Sequence, residues 1–294
     1  MVSKKIDKFA TYAFYFMAGI VFLILIYLFT WLFLKGYKHL SWSFLTEKSS
    51  ITGNGGGIGI QLFNTLYIAL ITMGVSVPIA LGAAIYLHEY AANSRFKQLT
   101  IMMVEIISSL SSIVVGLFGM LVFVLYFNLK FSVISGALAL GIINLPLLLS
   151  NFESALASAD PLQKQAGLAL GLTKWEVITK VTLPSVIPSI ITGLILALGR
   201  VVGEAATLIF TAGQSAPALD FSNWNPLNIS SPLNVNRQAE TLAVHIWKVS
   251  SEGRIDNSDL FLSASSLVLL VMILIINGLL RTLAFYYEKK MATK

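Results

Sequence analysis

Residues 186–212 read VIPSIITGLILALGRVVGEAATLIFTA, a mostly apolar run that carries Arg200 and Glu204 within it. A helix of about 20 apolar residues is long enough to cross a bilayer. An ionised side chain at the bilayer centre costs on the order of 3 kcal/mol or more, so such residues are rare in membrane helices. The stretch therefore predicts a membrane-spanning helix with a polar group that serves a function.

The rest of the chain repeats this pattern. Its hydrophobic fraction is 56% and its charged fraction 12%, whereas soluble domains have about 45–50% and about 25%. The sequence lacks the alternating segments of about ten residues that indicate a transmembrane β-barrel. Its first apolar run is too long for a cleaved signal peptide. We predict an all-α polytopic membrane protein, with residues 1–294 forming one transmembrane domain. Its six transmembrane helices are expected at about 12–34, 62–87, 103–127, 131–151, 186–212 and 260–284.

The distribution of basic residues predicts the orientation. Lysine and arginine are more numerous at the two termini and in the segments after the second and fourth spans than in the other connections. Basic residues favour the cytoplasmic side of a membrane. Both termini are therefore expected in the cytoplasm. The net charge of +6 is explained by these flanks and requires no nucleic acid.

The residues needed for common catalytic and metal sites are absent or scattered. The chain has no cysteine, which excludes disulfides and thiolate metal sites. Glu89 and Glu105, on either side of the second cytoplasmic loop, are expected to be interfacial anchors. The glycine-rich segment 53–59 fits no nucleotide-binding pattern and predicts a flexible turn. Surface or interfacial positions are expected for the three histidines, His39, His88 and His245.

A cytoplasmic loop at 152–184 predicts two short capped helices. Asp160 followed by proline is a strong helix start, and Gly171 is a natural helix end. Thr173 and Glu176 have the spacing of a capping box that begins a second helix. We expect this helix to end at Leu183-Pro184, before the next span. The result would be a compact knob suited to docking on another protein.

The loop at 213–259 is predicted to lie outside the cell. It is polar and long for a connection without structure of its own. Loops of this kind often carry recognition, and a simple cover over the membrane surface is an equal alternative. Residues 238–249 predict a short amphipathic helix whose apolar side contains Leu242, His245, Ile246 and Val249.

The fifth span contains the candidate substrate site. Arg200 and Glu204 would lie one helical turn apart on one face and could pair directly. The planar guanidinium of arginine binds two oxygens of an oxyanion and stays charged. Thr207 and Thr211 could add hydroxyl donors. The alternative is an ion pair that only orients helices.

Two segments carry a family resemblance. Residues 165–171, with Leu183-Pro184 after them, resemble the cytoplasmic loop by which permeases of ATP-binding-cassette (ABC) importers dock on their ATPase. The family usually has glutamate at the position of Gln165 and alanine at the position of Gly167. The resemblance implies that this loop is the coupling helix and assigns ATPase docking to Gln165, Ala166, Gly167, Leu168 and Gly171.

Residues 199–206 are similar to the arginine–glycine–glutamate signature of phosphate-specific permeases. Residues 56–58 and 64–66 are similar to the segment that leads into their second span. The resemblance is nearest to PstA-type subunits of type I ABC importers. It implies a second homologous permease, two ATPase subunits that hold ATP and magnesium, and an extracytoplasmic phosphate-binding protein.

The expected function is therefore that of a multi-pass cell-membrane permease subunit of a phosphate importer. It has no enzymatic activity or cofactor of its own, and its substrate pathway contains Arg200, Glu204 and Thr207. Two alternatives stay open: a permease for another oxyanion or small solute, and an ion-coupled carrier or channel that works alone.

Overall fold

A computed structural model describes residues 2–49, 56–91, 94–252 and 258–292. The described residues form helices and no multi-residue strand. The first half contains α1 Val2–Gly36, α2 Trp42–Thr46, α3 Gly59–Ile85, α4 Arg95–Ser109, α5 Ser112–Gly119 and α6 Val133–Ala157. The second half contains α7 Pro161–Ala169, α8 Lys174–Val177, α9 Leu183–Gly203, α10 Ala206–Thr211, α11 Leu242–Glu252 and α12 Ser258–Ala292. The predicted all-α fold is confirmed.

Three helices continue as π-helices, in which the backbone is wound more widely. The segment Tyr86–Tyr90 extends α3, Met120–Tyr126 extends α5, and Ile178–Thr182 joins α8 to α9. Short π segments inside helices are frequent at functional sites. Two of the three lie at the end of the bundle that also carries α7 and α8, where they adjoin these two short helices.

The membrane core is built around α3 and α6. These two helices pack along each other, and α9 lies against both α6 and α12. Buried apolar side chains from α3, α6 and α9 form one continuous cluster that includes Ile68, Leu140 and Val201. Within it, the buried amide of Asn144 donates to the Met73 sulfur at 3.4 Å. The core thus fixes α3 relative to α6.

Helix α1 stands at the edge of this bundle. It packs mainly against α12, and most of its described side chains are exposed, among them Phe9, Phe16 and Phe22. Apolar side chains exposed along a helix of this length suit contact with lipid or with another membrane helix. The edge position leaves the core to the other spans.

The segment predicted as a span at 103–127 is not one straight helix. Helix α4 ends at Ser109, and the segment Ser112–Tyr126 leaves it at an angle of 100°. The break is stabilised because the Ser111 hydroxyl oxygen accepts from the Val114 amide at 3.4 Å and caps α5. The described residues contain five helices long and apolar enough to cross a membrane, or six if this bent pair forms one span.

Candidate functional site

Helix α9 does not continue through Glu204 as the predicted span at 186–212 requires. It ends at Gly203, and Glu204 has an extended backbone with φ −77° and ψ 125°. The Glu204 carboxylate accepts from the Thr207 amide at 3.2 Å, at the start of α10. The expected pairing of Glu204 with Arg200 is therefore wrong, because the helix break turns the carboxylate towards the next helix.

The two threonines of the candidate site lie inside the packed region. Thr207 and Thr211 are fully buried. The Thr207 hydroxyl lies 3.2 Å from the Ser112 carbonyl oxygen and 3.3 Å from Glu204 Oε1, and it can donate to one of them at a time. Thr211 donates to the Thr207 carbonyl at 2.8 Å. A substrate would have to displace these bonds before either hydroxyl could donate to it.

Helix α10 also makes a close approach to its neighbour. A Cβ atom added at Gly116 of α5 would lie 3.0 Å from the Thr207 Cα atom and 3.3 Å from the Ala206 carbonyl oxygen. Any side chain at this position would force its neighbours to shift, so glycine suits this close spacing. The break between α9 and α10 is thus a packed feature of the fold rather than a frayed end.

Arg200 lies on an exposed face of α9. Its side chain is exposed in this chain, and among the residues that the structure describes it has no ion pair. Other exposed residues recur three or four positions apart along the same helix, which places them on one face. These residues are Ser185, Ser189, Thr192, Leu196, Arg200 and Gly203.

This face forms a mostly polar stripe on an otherwise apolar helix. From Ser185 to Arg200 it extends roughly 22 Å at about 1.5 Å per residue. Beside its first half, Asn151, Ser154 and Ser158 from α6 and its end line a groove. Polar side chains in a membrane helix usually face a water-filled cavity or another protein segment. The stripe is the strongest candidate for a surface that contacts a polar solute.

The short helices α7 and α8 form the knob, which we define as residues 160–182. Asp160 accepts from the Leu162 amide at 2.9 Å, and Gly171 has a positive φ of 85°. Thr173 and Glu176 form the reciprocal bonds of a capping box. These local predictions are confirmed. They succeeded because each cap depends on residues only two or three positions apart.

The predicted end of the second knob helix at Leu183-Pro184 is wrong. The chain passes from α8 through the π-helix at 178–182 directly into α9. Proline is compatible with the first turn of a helix because its missing amide would have no intrahelical partner there. The knob is therefore continuous with the span that carries Arg200.

The five residues expected to dock on an ATPase divide into two groups. Gly167 is buried, and a Cβ atom there would lie 3.1 Å from Val177 Cγ2. It therefore allows α7 to pack on α8 rather than contacting a partner. The other four residues are exposed: Gln165, Ala166, Leu168 and Gly171. Nearby, Leu162, Leu170 and Trp175 are 72%, 84% and 57% exposed, so the knob presents an apolar surface.

Glu89 is not the interfacial anchor that the sequence suggested. Its side chain is 1% exposed and lies 2.5 Å from the Lys164 ammonium of α7. Lys174 of the knob donates to the Glu89 carbonyl oxygen. Sequence reasoning missed this contact because the partners lie 75 and 85 positions away. A single carboxylate at the end of an apolar helix, with lysines in another loop on the same side, was the available signal.

At the opposite end of α3, polar side chains hold residues 240–242. Asn64 donates to the Glu240 carbonyl oxygen at 3.0 Å, and Thr65 accepts from the Leu242 amide at 2.9 Å. Gln61 donates to the Glu240 carboxylate at 3.1 Å. Part of the segment that resembles phosphate permeases therefore fastens the long loop to α3.

The glycine-rich segment before α3 lies partly outside the described residues, at 53–55. Within its described part, a Cβ atom at Gly57 would lie 2.6 Å from the Glu47 carbonyl oxygen, and one at Gly59 would lie 2.8 Å from the Thr46 carbonyl oxygen. Gly57 and Gly59 therefore permit a close backbone approach to the end of α2. That packing differs from the flexible turn expected there.

His245 is buried, against the expectation of a surface position. Its exposure is 2%, and it lies on α11, Leu242–Glu252, which overlaps the predicted helix at 238–249 but begins and ends later. Its Nδ1 atom is 3.2 Å from Glu240 Oε1, and the Lys248 ammonium is 3.6 Å from the same oxygen. The Lys248–Glu240 contact is an ion pair, and the His245–Glu240 contact lacks hydrogen-bond geometry. The sequence prediction placed His245 on the apolar side of this helix, which already favoured burial.

Arg237 is a second arginine that the sequence did not single out. It is 4% exposed, and its guanidinium donates to the Pro232 and Gln238 carbonyl oxygens at 3.0 and 3.1 Å. The guanidinium carbon lies 5.8 Å from the centre of the Tyr67 ring. Burial lowers the pKa of Arg237 to about 10, so it stays charged at neutral pH. These bonds give it a role in holding the loop together.

Comparison with known proteins gives the family. The model for binding-protein-dependent transport system inner membrane components matches residues 76–293, and the chain belongs to this family. The probable ABC transporter permease protein YqgI of Bacillus subtilis (strain 168) is 44% identical over 291 residues, which cover 99% of each chain. The phosphate transport system permease protein PstA of Haemophilus influenzae is 30% identical over 258 residues, covering 87% of this chain and 85% of that protein.

A solved structure has the same fold. The crystal structure of a bacterial ABC transporter involved in the import of the acidic polysaccharide alginate aligns with a TM-score of 0.63 at 16% identity. The alignment covers 97% of this chain and 98% of the other. The expected type I importer permease architecture is confirmed. The family and the fold are those of multi-pass inner-membrane permease subunits, which are not themselves enzymes.

Proposed function

We propose that this chain is the permease subunit of an ATP-driven phosphate importer and forms half of its translocation pathway. A second homologous permease would form the other half. Two ATPase subunits would bind ATP and magnesium, and an extracytoplasmic phosphate-binding protein would deliver the substrate. The family supports the importer class, and the relationship to PstA supports phosphate.

The polar stripe on α9 carries the proposal. An exposed arginine in an apolar helix is unfavourable against lipid. Glu204 accepts from the Thr207 amide and forms no ion pair with Arg200 among the described residues. The stripe therefore fits the wall of a pathway that a second permease completes. At the end of the stripe far from the knob, the guanidinium offers several donors to an oxyanion. Hydroxyl groups of Ser185, Ser189 and Thr192 lie between it and the knob.

The knob supports coupling to a separate ATPase. Its exposed leucines and Trp175 give it an apolar surface that is unsuited to contact with water alone. Because α8 continues into α9, a movement of the knob acts directly on the helix that carries Arg200. In the proposed orientation both termini and the knob are cytoplasmic, and the long loop meets the binding protein.

The test is radiolabelled phosphate uptake by cells that lack this subunit. Wild type should restore uptake, and Arg200→Ala should reduce it at least about tenfold, since bonds to a charged group contribute about 1.5–3 kcal/mol. Arg200→Lys keeps the charge but lacks the planar guanidinium, so its uptake rate should lie between those of wild type and Arg200→Ala. Arg281→Ala is the matched control, because Arg281 is also an exposed arginine in a long apolar helix.

Membrane levels of all variants must be equal for this comparison. Normal uptake with Arg200→Ala would remove Arg200 from the mechanism. Uptake of another labelled oxyanion that excess unlabelled phosphate does not inhibit would favour the second importer assignment. Transport by the purified chain in liposomes without an ATPase would favour a stand-alone carrier.

A further inference from the structure

The Glu89 carboxylate lies where three parts of the molecule meet. It belongs to the π-helix at 86–90 that ends α3, and Lys164 of α7 pairs with it. Lys174 of α8 donates to the Glu89 carbonyl oxygen and places its ammonium 4.4 Å from the centre of the Tyr90 ring. Both short helices of the knob are thus fastened to the same turn of α3.

These contacts differ in kind from the other ion pair of the knob. Glu89 is removed from water, with a side chain that is 1% exposed, and a buried carboxylate without a partner is strongly unfavourable. The Glu176–Lys180 pair is 37% and 61% exposed and lies within one segment. Exposed pairs contribute little. The Glu89 contacts therefore hold the knob to α3, whereas the exposed pair does not.

The chain connections of the knob do not include α3. The knob follows α6 and leads into α9, so α3 can follow a movement of the knob only through non-covalent contacts. The Lys164–Glu89 and Lys174–Glu89 contacts are the polar ones among the described residues. The backbone is wound as a π-helix on both sides of the junction, at 86–90 and 178–182.

We propose that Glu89 is a positioning residue that couples movement of the knob to α3. The proposal rests on the proposed function, in which an ATPase moves the knob. Without this link the knob would still dock on the ATPase and would still pull on α9 and α6. The movement would then reach α3 only through its packing against α6 and α9, so its end at Glu89 would follow less and ATP hydrolysis would proceed with less transport.

The first experiment compares Glu89→Gln with the control Lys180→Gln in the complete transporter reconstituted in liposomes. Glutamine keeps the shape of the side chain and removes its charge. For Glu89→Gln we expect normal co-purification of the ATPase and continued ATP hydrolysis. The amount of radiolabelled orthophosphate imported per ATP should fall at least about tenfold. Lys180→Gln should match wild type, because it removes a knob lysine that does not contact α3.

A second experiment replaces the ion pair by a covalent link. The natural chain contains no cysteine, so the double variant Glu89→Cys with Lys164→Cys can be joined selectively by a short bifunctional thiol reagent. Cross-linking should restore the import per ATP that the double variant loses. Its yield should be the same in the nucleotide-free and vanadate-trapped states, because the knob and α3 would move together.

Several outcomes would overturn the proposal. In the first experiment, these are an import per ATP of Glu89→Gln equal to wild type, and loss of the ATPase from the Glu89→Gln complex. In the second, they are a cross-link that blocks import, and a cross-linking yield that differs severalfold between the nucleotide-free and vanadate-trapped states. The yield does not depend on the substrate. Failure of the wild-type transporter to import phosphate would count against the proposed function, while an unchanged yield would still support the link.

Discussion

The bond between Thr65 and Leu242 predicts a local loss of stability that can be measured at one segment. Thr65 is 2% exposed, and its hydroxyl oxygen accepts from the Leu242 amide at 2.9 Å while it donates to the Gln61 carbonyl at 2.7 Å. Thr65→Val keeps nearly the same shape and removes the hydroxyl. The Leu242 amide, which belongs to a fully buried residue, would lose its partner.

The expected magnitude follows from that lost partner. Leaving a buried donor unsatisfied costs about 1–3 kcal/mol. If α11 exchanges its amide hydrogens by local opening, the same free energy makes opening about fivefold to about 150-fold more frequent. Hydrogen–deuterium exchange measured by mass spectrometry on peptides covering 241–249 should therefore accelerate by a factor in that range.

Thr192→Val provides the matched control. The Thr192 hydroxyl donates to the Pro188 carbonyl four residues earlier, as Thr65 does within its own helix, but Thr192 is exposed. Removing this exposed bond should change the free energy of local opening by no more than about 0.5 kcal/mol. This corresponds to about a twofold change in the rate of hydrogen exchange. Unchanged exchange of 241–249 in Thr65→Val would refute the role assigned to this bond.

Two glycines give further predictions. Gly171→Val places a β-branched residue at a φ of 85°, which costs about 1–2 kcal/mol. It should therefore lower the amount of ATPase recovered with the purified complex. Unchanged recovery and transport would contradict the docking role. Gly57→Ala would bring a Cβ atom to 2.6 Å from the Glu47 carbonyl oxygen, whereas Gly82 has nothing within 4 Å. Gly57→Ala should therefore lower the thermal stability by about 1–3 kcal/mol and Gly82→Ala should not; the opposite order would refute the close packing.

The sequence predicted the knob well because its caps are local. Asp160, Gly171 and the Thr173–Glu176 capping box each act on backbone groups within a few residues. Their effect does not depend on the surrounding fold. The all-α architecture followed for a similar reason, since the backbone of a membrane-spanning segment must satisfy its own hydrogen bonds.

The breaks in two spans were harder to predict. Hydropathy sets the length of an apolar run but does not show where a side chain takes over a backbone bond. Ser111 and Glu204 do so by accepting from amides three residues later. That spacing is a capping pattern, but it does not by itself distinguish a break from an unbroken apolar helix. The mistaken Arg200–Glu204 pair followed directly, since it assumed an unbroken helix.

The burial of Glu89 could not be derived from nearby residues. Its partners come from α7 and α8, and which lysines meet it depends on how the knob folds back towards α3. The bonds of Asn64 and Thr65 to residues 240–242 are equally long-range. Local patterns therefore predicted the elements, whereas tertiary packing decided which polar residues join them.

These long-range contacts assign α3 a connecting role. One end holds the long loop through Thr65, and the other holds the knob through Glu89, 24 positions later or about 36 Å at about 1.5 Å per residue. Between them, α3 packs along α6. Helix α3 is continuous from Gly59 to Ile85 although Pro78 lies inside it, so a displacement at one end is carried to the other. Under the proposed coupling, a movement of the knob must therefore shift the loop or break one of these contacts, which gives the polar residues at both ends of α3 a common physical purpose.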